Sequence, residues 1–222
     1  RVYEKNGMPW EHLQILVMLS LVGLFLGARI GHCLIYGYAY YWEHPLEILL
    51  PIRELPEGGY VFSGYEGMAS HGGAFGWIVA LVIYSRMTKE SIIRTLDAIA
   101  LVLPLAACFI RLGNLVNSEI VGIETEVPWA FVFERVDTAP RHPAQLYEAM
   151  AYLAIFVGNM LLYRRVGLKR YPGLFWGWML VTVFSARFLL EFLKERQVPF
   201  EEQMTLDLGQ ILSIPFILAG VG

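Results

Sequence analysis

Three arginines of this chain, Arg29, Arg111 and Arg187, fall inside stretches that are otherwise apolar. A guanidinium held at the middle of a bilayer costs at least about 2.5–3.5 kcal/mol on insertion scales, so each needs a partner. Arg187 has Glu191 one turn later on the same helical face. Arg29 could sit near an outer interface and snorkel. Arg111 has neither outlet, because the positions three and four away hold Ala107, Cys108, Asn114 and Leu115. Something beyond its own turn must balance it, and in a membrane a lipid phosphate is the obvious anion, which guanidinium grips bidentately. Arg111 also opens the most polar run at any span end, Arg111-Leu112-Gly113-Asn114-Leu115-Val116-Asn117-Ser118-Glu119. Arg111, Asn114 and Asn117 spiral slowly along one helix face, and the amides suit an ester, a phosphate or a glycerol hydroxyl. The bland reading is polar glue between helices, which would not need arginine, amides and acid at this density.

Further chemistry is possible at Ser70-His71-Gly72-Gly73. The glycines admit a ligand or another backbone, and a neutral imidazole with a pKa near 6.5 could accept a proton from a thiol or hydroxyl. The alternative is a hydrogen-bonded structural histidine. In Arg141-His142-Pro143-Ala144-Gln145-Leu146-Tyr147-Glu148, Pro143 suits a first helical turn, and Gln145, Tyr147 and Glu148 are expected to face the outer leaflet. His12, His44 and His142 read as interfacial or loop-borne. Cys33 and Cys108 lie in apolar runs and read as small buried hydrophobes, not a disulfide framework. No metalloprotease, Cys-x-x-Cys or Walker pattern is found, so neither a metal nor a cofactor is expected.

The elements that must position these residues are membrane helices. Hydrophobic residues make up 56% of the 222 and charged residues only 17%, against about 25% charged in ordinary soluble domains. Seventeen basic and 20 acidic residues leave a net charge of −3, which gives no basic face for nucleic acid. Apolar stretches run from about Leu13 to Tyr36, Met68 to Tyr84, Leu96 to Val116, Leu146 to Tyr163, Gly173 to Leu193 and Leu208 to Val221. The second, fourth and last are near or below the length a span needs. Alternate loops carry nine Lys and Arg on one side (Arg1, Lys5, Arg86, Lys89, Arg94, Arg164, Arg165, Lys169, Arg170) and five on the other (Arg53, Arg135, Arg141, Lys194, Arg196). That bias places the first group in the cytoplasm and agrees with six spans. The opposite loops are acid-rich, with Glu66, Glu201 and Glu202 among them. The expected fold is therefore all-α, a polytopic integral membrane helical bundle forming one domain over residues 1–222. Residues 119–142 form an outward loop long enough for a small subdomain.

The chain resembles bacterial prolipoprotein diacylglyceryl transferase. The matching stretches are Gly27-Ala28-Arg29-Ile30-Gly31, His44-Pro45-Leu46-Glu47, Ser70-His71-Gly72-Gly73, Arg111 through Asn114 to Glu119, His142 through Glu148, Arg187-Phe188 with Glu191-Phe192, and Gly209 through Pro215. Each is weak alone, but they occur in the family's order across nearly the whole chain. The resemblance implies a seven-span enzyme of the bacterial inner (cytoplasmic) membrane, without cofactor. It moves the diacylglyceryl group of phosphatidylglycerol to the lipobox cysteine of a preprolipoprotein signal peptide, making a thioether and releasing glycerol 1-phosphate. It also implies Arg111 and Arg187 as essential lipid-handling residues and His71 as base. Asn114, Asn117, Glu119, Tyr147 and Arg29 join them as substrate contacts. Two departures stand out. The family's earlier span with a His-Trp-Tyr-Gly type segment is absent, so a chain lacking its first span is expected, and Ser118 stands where many members have glycine. The competing readings are a carrier for a small anion, disfavoured by the lack of repeated halves, and a non-catalytic lipid-binding subunit.

Overall fold

The computed structural model describes residues 2–55, 57–65, 67–195 and 206–222. Arg1, Arg196, Glu66, Glu201 and Glu202 of the charge pattern lie outside the described residues. The chain divides into two compact units, Arg1–Ile92 and Ile93–Gly222, and 66% of the described residues are helix.

In the first unit a short α1 (Val2–Lys5) precedes the long α2 (Trp10–Ile35). Two small helices follow, α3 (Tyr38–Glu43) and α4 (Leu46–Leu49), then an antiparallel hairpin of β1 (Ile52–Glu54) and β2 (Tyr60–Phe62), and α5 (Ser70–Thr88) closes the unit. Helices α2 and α5 touch backbone to backbone along Gly23, Gly27 and Gly31 on one and Gly72 and Gly76 on the other. A Cβ on Gly27 would collide with the Gly72 carbonyl, and one on Gly72 with the Gly27 carbonyl. Small residues are what let membrane helices approach this closely. The glycines after His71 thus admit another backbone.

The second unit begins with α6 (Ile92–Ala100) and α7 (Leu103–Asn117), which form one apolar stretch bent by 47°. The sequence pattern suggested a single helix here, and Pro104 explains the break. It has no N–H to offer the Ala100 carbonyl and clashes with it in a continuous helix. Asn159 Nδ2 takes over that carbonyl at 2.9 Å. Next come β3 (Phe131–Val132) and β4 (Pro140–Arg141), a minimal antiparallel pair within residues 119–142, then α8 (Ala144–Val166), α9 (Leu174–Glu191) and α10 (Leu208–Val221). Among the described residues the two hairpins and the isolated bridges Gly122–Lys194 and Glu124–Arg141 are the exceptions to the expected all-α fold. Helices α7, α8, α9 and α10 pack in that order, each against the next, with Cys108, Ala149 and Tyr152 at the α7–α8 core. Both cysteines are free and buried. Arg141 knots the segment of residues 119–142. It is paired with Asp137, with Glu195 at 3.2 Å and with Glu124 at 3.6 Å, and its Nη1 donates to the Gly122 carbonyl at 3.2 Å.

All six apolar stretches contain helix. Among the described residues three helices, α2, α8 and α9, are long and apolar enough to cross a membrane, and a fourth is reached if the bent α6–α7 pair counts as one span. Their outer faces are apolar: Met18, Phe109, Met150 and Leu189 are all exposed. That is the inverse of a water-soluble surface and marks a multi-pass membrane protein.

Candidate functional site

Helix α7 stops because Ser118 turns left-handed at φ 60°, a conformation that suits glycine best. This is the position where serine departs from the family pattern. The turn brings Glu119 back, its N–H donating to the Asn114 carbonyl at 2.9 Å. The Glu119 carboxylate then accepts from Asn114 Nδ2 at 2.7 Å and Asn117 Nδ2 at 3.3 Å, while Asn114 Oδ1 accepts from Arg111 Nη1 at 3.2 Å. The polar run at the end of α7 is thus one connected cluster of Arg111, Asn114, Asn117 and Glu119.

Arg111 is not left to a lipid for balance, contrary to the sequence-based expectation. Its Nε lies 2.9 Å from Oε2 of Glu148, which is completely buried on α8. Lys194 Nζ lies 2.9 Å from the other oxygen of the same carboxylate and 3.0 Å from Glu191 Oε2. Glu191 therefore serves Lys194 and not Arg187. Its carboxylate sits over Gly209 in the first turn of α10, where any Cβ would overlap it. Arg187, half-buried on α9, has no hydrogen bond or ion pair among the described residues. Gln145 and Glu148 also do not face the leaflet: both are fully buried, and Gln145 Nε2 donates to the Glu119 carbonyl at 2.7 Å. Tyr147 does stay accessible. Its hydroxyl accepts from Trp129 Nε1 at 2.7 Å and lies 3.1 Å from His142 Nδ1. Glu148 and Lys194 are the residues whose part in this cluster sequence reasoning missed. The available signal was the stripe 145, 148, 149, 152 and 159, which is one buried face of α8.

In the first unit Arg29 does not snorkel. It is 3% exposed, and its donors go to the carbonyls of Ile48 at 3.0 Å, Gly67 at 3.4 Å and Glu47. Its guanidinium lies over the rings of Tyr41 and Tyr65, 4.9 Å and 5.5 Å from their centroids. Glu47 beside it is buried. Burial alone would raise its pKa, but the Glu54 N–H, the Tyr40 hydroxyl, His44 and Arg53 together hold it below the ordinary carboxylate value. His71 is exposed in the first turn of α5, lining an apolar groove of about 540 Å³ with Gly72, Leu26, Ile30 and Phe75.

Residues 1–222 match the family model described as prolipoprotein diacylglyceryl transferase. The chain belongs to that family. A protein of Bacteroides fragilis named phosphatidylglycerol–prolipoprotein diacylglyceryl transferase is 54% identical over 219 residues, 99% of this chain and 79% of that protein. Proteins of the same name from Chloroherpeton thalassium and Tolumonas auensis are 45% and 43% identical over 222 residues. Each alignment takes in all of this chain, with 78% and 81% of the relatives. As a prolipoprotein diacylglyceryl transferase the chain is a membrane transferase of lipoprotein biosynthesis. The Arg111 cluster and Arg187 fall in two of the stretches that carried the resemblance.

Proposed function

We propose that the chain is a bacterial inner-membrane enzyme of six spans as given, within a seven-span family. It transfers the diacylglyceryl group of phosphatidylglycerol to the lipobox cysteine of a preprolipoprotein and works as one domain. The observation that carries this is Arg187, a guanidinium on an apolar helix that no carboxylate among the described residues balances. Such a charge is costly in hydrocarbon unless an anion meets it, and the donor lipid brings its own phosphodiester.

In this reading Arg187 and the free donors of Arg111 hold the phosphate, while Asn114, Asn117 and Glu119 orient the glycerol head and Tyr147 contacts it. The peptide thiol, with an ordinary pKa near 8.5, is mostly protonated at neutral pH. His71 accepts its proton. The thiolate sulfur attacks the diacylglycerol carbon bonded to the phosphate oxygen, the S–C bond forms, and the C–O bond breaks. Glycerol phosphate leaves with the electron pair, its growing charge met by the guanidinium groups. The attacking sulfur belongs to the substrate, so no covalent enzyme intermediate is formed. Arg29, tied to the carbonyls of Ile48, Gly67 and Glu47, is taken as a further substrate contact.

The test is purified protein in phosphatidylglycerol vesicles with a lipobox peptide. The expected product is the thioether-lipidated peptide, seen by mass, with equimolar glycerol phosphate. Lipid bound or moved with no peptide product would make the chain a binding subunit or a carrier.

A further inference from the structure

Arg111, Glu148, Lys194 and Glu191 form an unbroken line of alternating charge in the second unit. The steps are 2.9, 2.9 and 3.0 Å, and the side chains are 14%, 0%, 5% and 15% exposed. Each oxygen of the buried Glu148 carboxylate faces one cation, and the Tyr152 hydroxyl donates to one of them at 3.4 Å. Lys194 is held by backbone as well. It bridges Gly122, its N–H donates to the Glu191 carbonyl at 3.0 Å, and Glu195 N–H donates to the Val121 carbonyl at 3.1 Å.

The line holds two cations and two carboxylates, so its own charges cancel. Without Lys194 the carboxylate of Glu148 would be left to Arg111 alone, and that of Glu191 would lose the cation at 3.0 Å from it. The surroundings of that guanidinium would become net negative, which repels an anion in a medium of low dielectric. Lys194 also joins two elements. Through Glu191 it grips α9, which carries Arg187 one turn earlier, and through Glu148 it reaches Arg111 on α7. It therefore sets both the charge around Arg111 and the placement of α9 beside it. We infer that Lys194 is a positioning residue of the transfer reaction: it touches no reacting atom, and it keeps Arg111 receptive to the anionic lipid head by holding Glu148. This rests on the transferase reading above.

The experiment measures KM separately for phosphatidylglycerol and for lipobox peptide. The enzymes compared are wild type, Lys194→Met, Lys194→Arg, Glu148→Gln and the double variant Glu148→Gln/Lys194→Met, with folding checked by thermal unfolding. Lys194→Met is expected to raise the lipid KM about tenfold or more, the scale of breaking a buried charge pair, and to leave the peptide KM unchanged. Lys194→Arg should recover most of the loss. The double variant should bind lipid better than Lys194→Met, because the carboxylate held against Arg111 at 2.9 Å is gone. If Lys194→Met does not fold, the double variant, which removes the carboxylate at the completely buried position 148, and Lys194→Arg give the same readout. An unchanged lipid KM, a parallel rise of both KM values, or additive single and double effects would overturn the assignment. Wild-type protein that makes no thioether would instead sink the transferase reading, so the two failures are distinct.

Discussion

Asn159 Nδ2 donates to the carbonyl of Ala100 over 2.9 Å, and both groups are buried. That carbonyl is the one Pro104 cannot serve, so an amide on α8 completes the break between α6 and α7. Replacing Asn159 with Leu should destabilise the protein by about 1–3 kcal/mol, the cost of an orphaned buried acceptor. The double variant Pro104→Ala/Asn159→Leu should regain much of that, since an alanine in place of the proline supplies the missing N–H. Thermal unfolding in detergent checks the coupling, and additive losses would count against it.

Asp97 performs a similar service for α9. It is fully buried on α6 and accepts from the N–H groups of Gly173 at 2.7 Å and Trp176 at 2.9 Å. These are two of the donors that the first turn of a helix leaves without intrahelical partners. Asp97→Ala should cost about 1–2 kcal/mol, as loss of a strong N-cap does, and Asp97→Asn less, because the amide oxygen still accepts one bond. The order of the melting temperatures is the measurement.

Much of this architecture was legible in the residues. The six apolar stretches appear as helices because lipid leaves the backbone no other solution. The cluster of Arg111, Asn114, Asn117 and Glu119 closes as the three-residue spacing suggested. What was hidden lies between elements. Spacing reports only on a residue's own turn, so Glu148 reaching Arg111 from α8, and Glu191 choosing Lys194 over Arg187, could not be read from it. Arg29 was hidden for another reason: its partners are carbonyls, which carry no sequence label. The two hairpins escaped because their strands are only two or three residues long.

The α2–α5 contact separates two kinds of glycine. Gly27→Ala and Gly72→Ala each push a methyl into the opposing carbonyl, so each should lower stability and loosen the pair. Gly158→Ala on α8 meets nothing within 4 Å and should be neutral or stabilising by up to about 1 kcal/mol through helix propensity. Melting temperatures of the three variants in one detergent test this. A stable Gly72→Ala would mean the helices are not in backbone contact.

Glu47 makes the region of α3, α4 and the β1–β2 hairpin acid-sensitive. Its Oε1 accepts from Glu54 N–H at 2.7 Å and its Oε2 from the Tyr40 hydroxyl at 2.9 Å, and its folded pKa lies below the ordinary value of 4.5. A depressed carboxylate contributes stability that is complete above its unfolded pKa and is lost as pH falls through the folded one. Stability should therefore hold from pH 7 to about 5 and decline below about 4.5. Glu47→Gln should be less stable at pH 7 and show a shallower acid decline, read from melting temperature against pH.

Arg187 and Arg111 should separate stability from turnover in opposite ways. Removing Arg187 strands no carboxylate among the described residues, since Glu191 already pairs with Lys194 at 3.0 Å. Arg187→Gln should therefore melt at the same temperature as wild type or higher, while thioether formation falls by about two orders of magnitude or more, as loss of a group that stabilises developing charge does. Arg111→Gln takes one of two cations from the fully buried Glu148, so it should lose both stability and activity. Were Arg187→Gln to lose stability as Arg111→Gln does, Arg187 would be a structural residue with a protein partner, and the lipid phosphate would have to be held elsewhere.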